Sequence, residues 1–82
     1  MENLVGKVIH YFDKAMVAVI KLNDSLLVGD TIKIKKGEQE ITQIVESIEI
    51  EHDKIEAGEA GDEVAIKVSD VVKTGSDVYK IV

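Results

Sequence analysis

Glu40-Ile41-Thr42-Gln43-Ile44-Val45-Glu46-Ser47-Ile48-Glu49-Ile50-Glu51, residues 40–51, is the stretch whose reading decides the fold. In an extended chain, side chains alternate between two faces. Ile41, Gln43 and Val45 share one parity, and Ile48 and Ile50 share the other. A straight strand would expose one of these two sets to water. The stretch is therefore predicted to be a strand with a bulge or sharp bend near Glu46-Ser47. Small barrels turn their corners with such bends.

The flanking sequence reads the same way. Asp30 to Lys36 alternates, with Ile32 and Ile34 on one face and Lys33 and Lys35 on the other, and Gly37-Glu38 makes a turn. Residues 62–68 alternate again, with Val64, Ile66 and Val68 facing inward. Residues 4–12 form a first strand, and Gly6 within it signals a bulge or a close backbone approach. Asp13-Lys14 is a turn into residues 15–22, a near-continuous apolar run that fits a strand covered on both faces. Residues 23–29 connect, with one helical turn capped by Asp24 or Ser25 as an expected detail. Residues 52–61 read as a loop anchored by Ile55. Val71 and Val72 are expected to pack back from the loop that follows residue 68, and residues 74–77 turn into a last strand, Val78 to Val82. These readings give six strands, at the turn spacing of a sandwich or barrel.

Composition agrees. Isoleucine and valine number 23 against four leucines, and β-branched side chains fit a pleated surface better than a helix. Proline is absent, so no strand is barred from pairing on either side. Eighty-two residues make one domain, expected to span 1–82. The absence of cysteine excludes disulfides and thiolate zinc sites. No apolar run approaches the roughly 20 residues of a membrane helix, and the first residues lack an export pattern. A cytoplasmic chain with no membrane partner is the expectation.

The net charge of −6 is unevenly spread. Residues 38–63 carry ten acids and one lysine, whereas residues 1–37 carry six lysines and four acids. There is no arginine, which counts against sequence-specific reading of nucleic acid. Catalytic patterns are missing too. There is no phosphate-binding loop, no dinucleotide fingerprint and no serine in a nucleophile elbow. His52 with Glu51 and Asp53 is too small a set for a metal ion, and His10 sits in a strand. No enzyme activity, metal or cofactor is expected. Tyr11, Phe12 and Tyr79 are expected to pack in the core or at its rim.

Several ordered motifs carry a resemblance. Leu27-Val28-Gly29-Asp30-Thr31-Ile32-Lys33-Ile34, then Ile44-Val45-Glu46-Ser47-Ile48-Glu49-Ile50, then Ile55 and Ala60-Gly61-Asp62-Glu63-Val64-Ala65-Ile66 resemble successive segments of the second domain of translational GTPases such as elongation factor Tu. Gly6-Lys7-Val8 and the closing Gly75 and Asp77-Val78 extend the match over nearly the whole chain. The chain also resembles stand-alone translation elongation factor-like proteins. The whole chain is similar as well to the β-barrel at the C-terminus of collagenase-like peptidases, and its ending, Gly75-Ser76-Asp77-Val78-Tyr79-Lys80, fits these two groups better than the GTPases. The resemblance implies an all-β, six-stranded Greek-key β-barrel like translation-factor domain 2. In the GTPases this barrel contacts the aminoacylated end of tRNA, partly through the segment matching Glu59 to Ile66. Here Glu59 and Glu63 are carboxylates, which repel a phosphate backbone.

Two readings of function follow. The first is a non-enzymatic binding module linked to translation, with a protein or RNA partner. The second is a protein-interaction subunit for a separate catalytic chain, as in the peptidases. The candidate partner-binding residues are Glu49, Glu51, Glu56, Glu59 and Glu63 for a basic partner, and Lys33, Lys35 and Lys36 for RNA. Exposed strand edges also make a homodimer one expected assembly.

Overall fold

β-Branched runs become strands throughout the computed structural model, which describes residues 2–81. The strands are β1 (Glu2–Phe12), β2 (Val17–Leu22), β3 (Leu26–Leu27), β4 (Thr31–Lys36), β5 (Gln39–Ile44), β6 (Ile48–Ile50), β7 (Asp53–Ile55), β8 (Ala57–Gly58), β9 (Glu63–Lys67) and β10 (Asp77–Ile81). Every pairing is antiparallel. Eight strands form one sheet in the order β5-β4-β10-β1-β2-β9-β6-β7, and β3 pairs with β8 in a small second sheet. The all-β class is what the structure shows.

Three expectations are corrected. Six strands become ten: residues 52–61 contain β7 and β8 rather than a plain loop, residues 23–29 contain β3, and residues 40–51 divide into β5 and β6. Residues 23–29 make no helical turn, since Leu26 is buried and pairs with Gly58 instead. The closed six-stranded Greek-key barrel is an open sheet, with β5 and β7 at its two ends. The reason lies in residues 45–47, which leave the ladder between β5 and β6 at the predicted bend. The β4–β5 ladder ends at Ile44, paired with Thr31; Val45 still bonds to Asp30 and Gly29 through its main chain, and the chain joins β9 only at Ile48, paired with Ile66. Val82, the expected end of the last strand, lies outside the described residues.

Side chains span the resulting seam where main chain does not. The Gln43 carboxamide donates from Nε2 to the Lys67 carbonyl at 2.8 Å and accepts from the Ser69 N–H at 2.9 Å. Gln39 Nε2 donates to the Val71 carbonyl at 2.9 Å. The sheet thereby curls around one core. Val5 and Val8 of β1, Ile20 of β2, Ile34 of β4, Ile48 of β6 and Val78 of β10 all lie within the same buried cluster. Ile41, Ile50 and Ile55 pack against it. Both parities of residues 40–51 thus reach one interior, which the bend makes possible. Val72 packs back as expected, whereas Val71 stays 53% exposed.

Gly6 shows both features its position signals. The register of β1 against β10 slips between Leu4 and Gly6. A Cβ at Gly6 would also lie 2.6 Å from the Lys21 carbonyl oxygen of β2. The two Gly-Asp motifs form matched turns. Asp30 N–H donates to the Leu27 carbonyl while Asp30 Oδ2 accepts from the Leu27 N–H, with Gly29 at φ +99°. Asp62 and Glu59 repeat both bonds, with Gly61 at φ +94°. A positive φ at the third turn position favours glycine, and an aspartate after it closes the turn from its side chain.

Candidate functional site

The solvent face of the sheet is built by the strand parity left over from the core. Register places His10 of β1 beside Val19 of β2, Val19 beside Ala65 of β9, and Ala65 beside Glu49 of β6. Strand β2 is apolar on both faces, but only the face carrying Ala18, Ile20 and Leu22 meets the core. Val17 and Val19 are left half-buried on the outside. The expectation that this strand is covered on both faces therefore holds for one face only.

A depression of about 260 Å³ lies there, lined by Phe12, Val19, Ala65, Glu49, Glu51, His52 and Glu63. Its floor is apolar. Phe12 is 49% exposed, and its ring meets His10 edge-on at a centroid distance of 4.4 Å. Three carboxylates stand on the rim. Glu63 pairs with Lys21 at 3.8 Å, but both side chains are more than half exposed, so the pair is weak. Glu49 faces Lys54 across the β6–β7 ladder without a close ion pair among the described residues.

The β6–β7 hairpin that carries this rim is strained. Glu51 and His52 link Ile50 to Asp53 with φ of 50° and 70°. Two successive positive φ values are the mark of the tight hairpin turn that favours Asn-Gly, and ordinary side chains there cost about 1 kcal/mol or more each. Replacing the pair with Asn-Gly (E51N/H52G) is expected to raise the melting temperature by roughly 4–8 °C, the shift that about 1 kcal/mol produces in a domain of this size. An unchanged or lower midpoint in a calorimetric scan would contradict this.

The structure brings Glu49, Glu51 and Glu63 together and separates them from the other candidates. Glu56 lies between β7 and β8, where its carbonyl accepts from Val28, and Glu59 belongs to the Gly61-Asp62 turn. Neither lines the depression. The lysines stand on β4, four places away in the strand order from β9. Lys33 is clasped by Glu2 and by Glu40 at 2.9 Å. The Glu2 hydrogen bond, then the Glu40 bond, push its pKa up to about 12. The same contact holds the Glu40 carboxyl below its ordinary value. Lys36 donates to the Thr74 carbonyl at 2.8 Å, and Lys35 is exposed opposite Asp77 and Glu40. No group of three or more metal-ligating side chains occurs among the described residues. Among the described residues, no helix is long and apolar enough to cross a membrane.

Reading charge alone missed Phe12, Val19 and Ala65. The signal for them is the apolar run of residues 15–22: a strand apolar on both faces, around a single core, leaves one apolar face unpartnered.

Comparisons with known proteins bear on the chain as a whole. No family model matches it. It is 34% identical, over 76 residues and 92% of its length, to the uncharacterized protease MJ0090 of Methanocaldococcus jannaschii. The chain spans only 19% of that relative's length. Two crystal structures of the C-terminal domain of a Geobacillus thermoleovorans protein named as a U32 peptidase share the fold. One superposes with a TM-score of 0.89 at 21% identity, covering 95% of this chain and 91% of that domain. The other, a selenomethionine variant, gives 0.87 at 20%, covering 93% and 96%. These matches correct the resemblance to elongation factors and the translation link drawn from it: the chain is similar to part of a protease in sequence and to a peptidase C-terminal domain in fold.

Proposed function

We propose that the chain is a binding module without chemistry of its own, which docks a separate catalytic chain of the peptidase kind through the depression rimmed by Glu49, Glu51 and Glu63. The observation that carries this reading is the disparity in coverage. Nearly all of this chain corresponds to about a fifth of a protease, so the counterpart is an accessory part of a larger catalytic protein. The fold likeness to a C-terminal peptidase domain supports the same reading. The face fits a partner surface presenting lysine or arginine. Aliphatic stems would rest on Val19, Ala65 and Phe12, with cationic heads among the three carboxylates.

The test is capture of a peptidase chain, identified by mass spectrometry, from the cells that make this protein. The E49K/E51K/E63K variant should recover at least about tenfold less of it, equivalent to about 1.4 kcal/mol. The E56K/E59K variant, altered away from the depression, should recover as much as the unaltered protein. Glu51, Glu56, Glu59 and Glu63 are exposed, where substitutions stay within about 0.5 kcal/mol of stability; Glu49 is half-buried on the outer face, so the thermal transition of the triple variant checks that it is folded. Failure to capture any peptidase overturns the reading. Equal capture by both variants removes the acidic depression from it.

A further inference from the structure

We infer that the cation received by the acidic depression is an arginine guanidinium, and that Phe12 is the residue that tells it from a lysine. The inference rests on the docking reading and narrows it, from a basic partner to one that presents arginine. Charge makes the site cationic in its demand without choosing between the two side chains. Among the described residues, the lining holds the carboxylates of Glu49, Glu51 and Glu63 and no lysine. Continuing the register that sets Glu49 beside Ala65 brings Glu51 next to Glu63. Like charges facing each other across strands are destabilising, and a cation from outside relieves them. The chain's own lysines are placed elsewhere. Lys21 Nζ donates to the Gly61 carbonyl at 3.1 Å and lies 3.8 Å from Glu63. Lys67, two residues beyond Ala65 on β9, lines the separate cavity at the seam. Among the described residues, Glu49 and Glu51 have no ion pair.

The apolar floor makes the choice. A cation that enters gives up water over Val19, Ala65 and Phe12. An ammonium is a compact, strongly hydrated charge and loses most by this. A guanidinium is planar, more weakly hydrated, and stacks on aromatic faces. Phe12 offers such a ring at the end of β1. It is 49% exposed, and the edge-on contact with His10, at 4.4 Å between ring centroids and 60° between planes, holds it in place. A guanidinium laid on the open part of that ring keeps its N–H donors in its own plane, directed past the ring toward the rim. Several carboxylates can then accept from it at once. The donors of an ammonium are not coplanar, so it cannot lie flat on the ring and reach the rim with all of them. The ring and the rim together thus suit one cation better than the other, although each carries the same charge.

The test is an NMR titration of the intact chain with two capped peptides of equal charge, Gly-Arg-Gly-Arg-Gly and Gly-Lys-Gly-Lys-Gly, following the amides of Val19 and Ala65. The arginine peptide should bind about two- to fivefold more tightly, the factor that an exposed cation–π contact supplies. Phe12→Leu keeps an apolar side chain without a ring, and should bring the arginine peptide to the affinity of the lysine peptide. Phe12→Tyr keeps a ring and should keep the preference. Nuclear Overhauser contacts from the arginine δ-methylene to the Phe12 ring protons give the same answer with no substitution, should Phe12→Leu not fold. Equal affinities for the two peptides, or a preference that survives Phe12→Leu, overturn the inference and leave the docking reading in place. If neither peptide binds, or if both bind E49K/E51K/E63K as well as the unaltered chain, the acidic depression receives no cation, and the docking reading falls together with the inference.

Discussion

Gly6→Val is expected to leave the protein largely unfolded, with no cooperative transition in urea at 25 °C. A Cβ at this position would lie 2.6 Å from the Lys21 carbonyl oxygen, 2.7 Å from Ile20 Cγ2 and 3.3 Å from the Leu22 Cα. Two of these three atoms are main chain and cannot rotate away. Relief requires β1 and β2 to separate, and they are neighbours at the centre of the large sheet. Overpacking a core with room to adjust costs about 1–3 kcal/mol. Forcing two central strands apart costs more, against a total stability of roughly 4–12 kcal/mol for a chain of this length. Valine adds two methyl groups to the same clash. Gly29→Ala provides the contrast. Nothing lies within 4 Å of its Cβ position, and only the φ of +99° opposes the substitution, a cost of about 1–3 kcal/mol. Gly6→Ala should therefore destabilise more than Gly29→Ala. The reverse order in urea midpoints would show that β1 moves off β2 easily, and that close approach is not what fixes glycine there.

That glycine was legible because its two possible meanings, a bulge and a close approach, are both backbone effects. The bend in residues 40–51 was legible for a similar reason: alternation leaves no other way to bury Ile41, Val45, Ile48 and Ile50 together. Short strands were not. Leu26-Leu27 and Ala57-Gly58 are too brief to show a period, and only the tertiary pairing of β3 with β8 makes them strands. Closure was misread because sequence shows that a chain bends, but not whether main chain or side chain fills the seam.

The resemblance to translation factors had a physical basis that does not extend to function. The Val28-Gly29-Asp30 and Ala60-Gly61-Asp62 motifs are two copies of one turn, each with a positive-φ glycine and an aspartate closing back on the residue three before it. Any small curled sheet with tight corners has use for this device, whatever it binds, so motif order reports architecture. The partner-binding candidates follow the same logic in reverse. Charge placed Glu49, Glu51 and Glu63 on one segment and its sequel. Only register brings them to one rim, and only the outward parity of Val19 and Ala65 gives that rim an apolar floor.

Ile48→Ala is expected to destabilise by about 2–5 kcal/mol, the range for removing most of a buried isoleucine. Ile44→Ala, four residues earlier, should stay within about 0.5 kcal/mol. The two side chains have the same size and lie on either side of the same bend. Ile48 is fully buried, pairs with Ile66 and Ile55 on its two flanks, and is the first residue to rejoin the sheet after the seam. Ile44 is 57% exposed on the outer face. Truncating Ile48 opens a cavity where β6, β7 and β9 meet, between Ile55 and Ile66. β9 and β4 are rigidly laddered elsewhere, through β2 and β10. The corner is the place where the ladder is interrupted, so packing at Ile48 carries there what main-chain bonds carry in the rest of the sheet. Urea midpoints of the two variants measure the difference directly. Equal losses would mean that residues 40–51 run straight in solution, placing both isoleucines in similar surroundings and removing the bend on which the curled core depends.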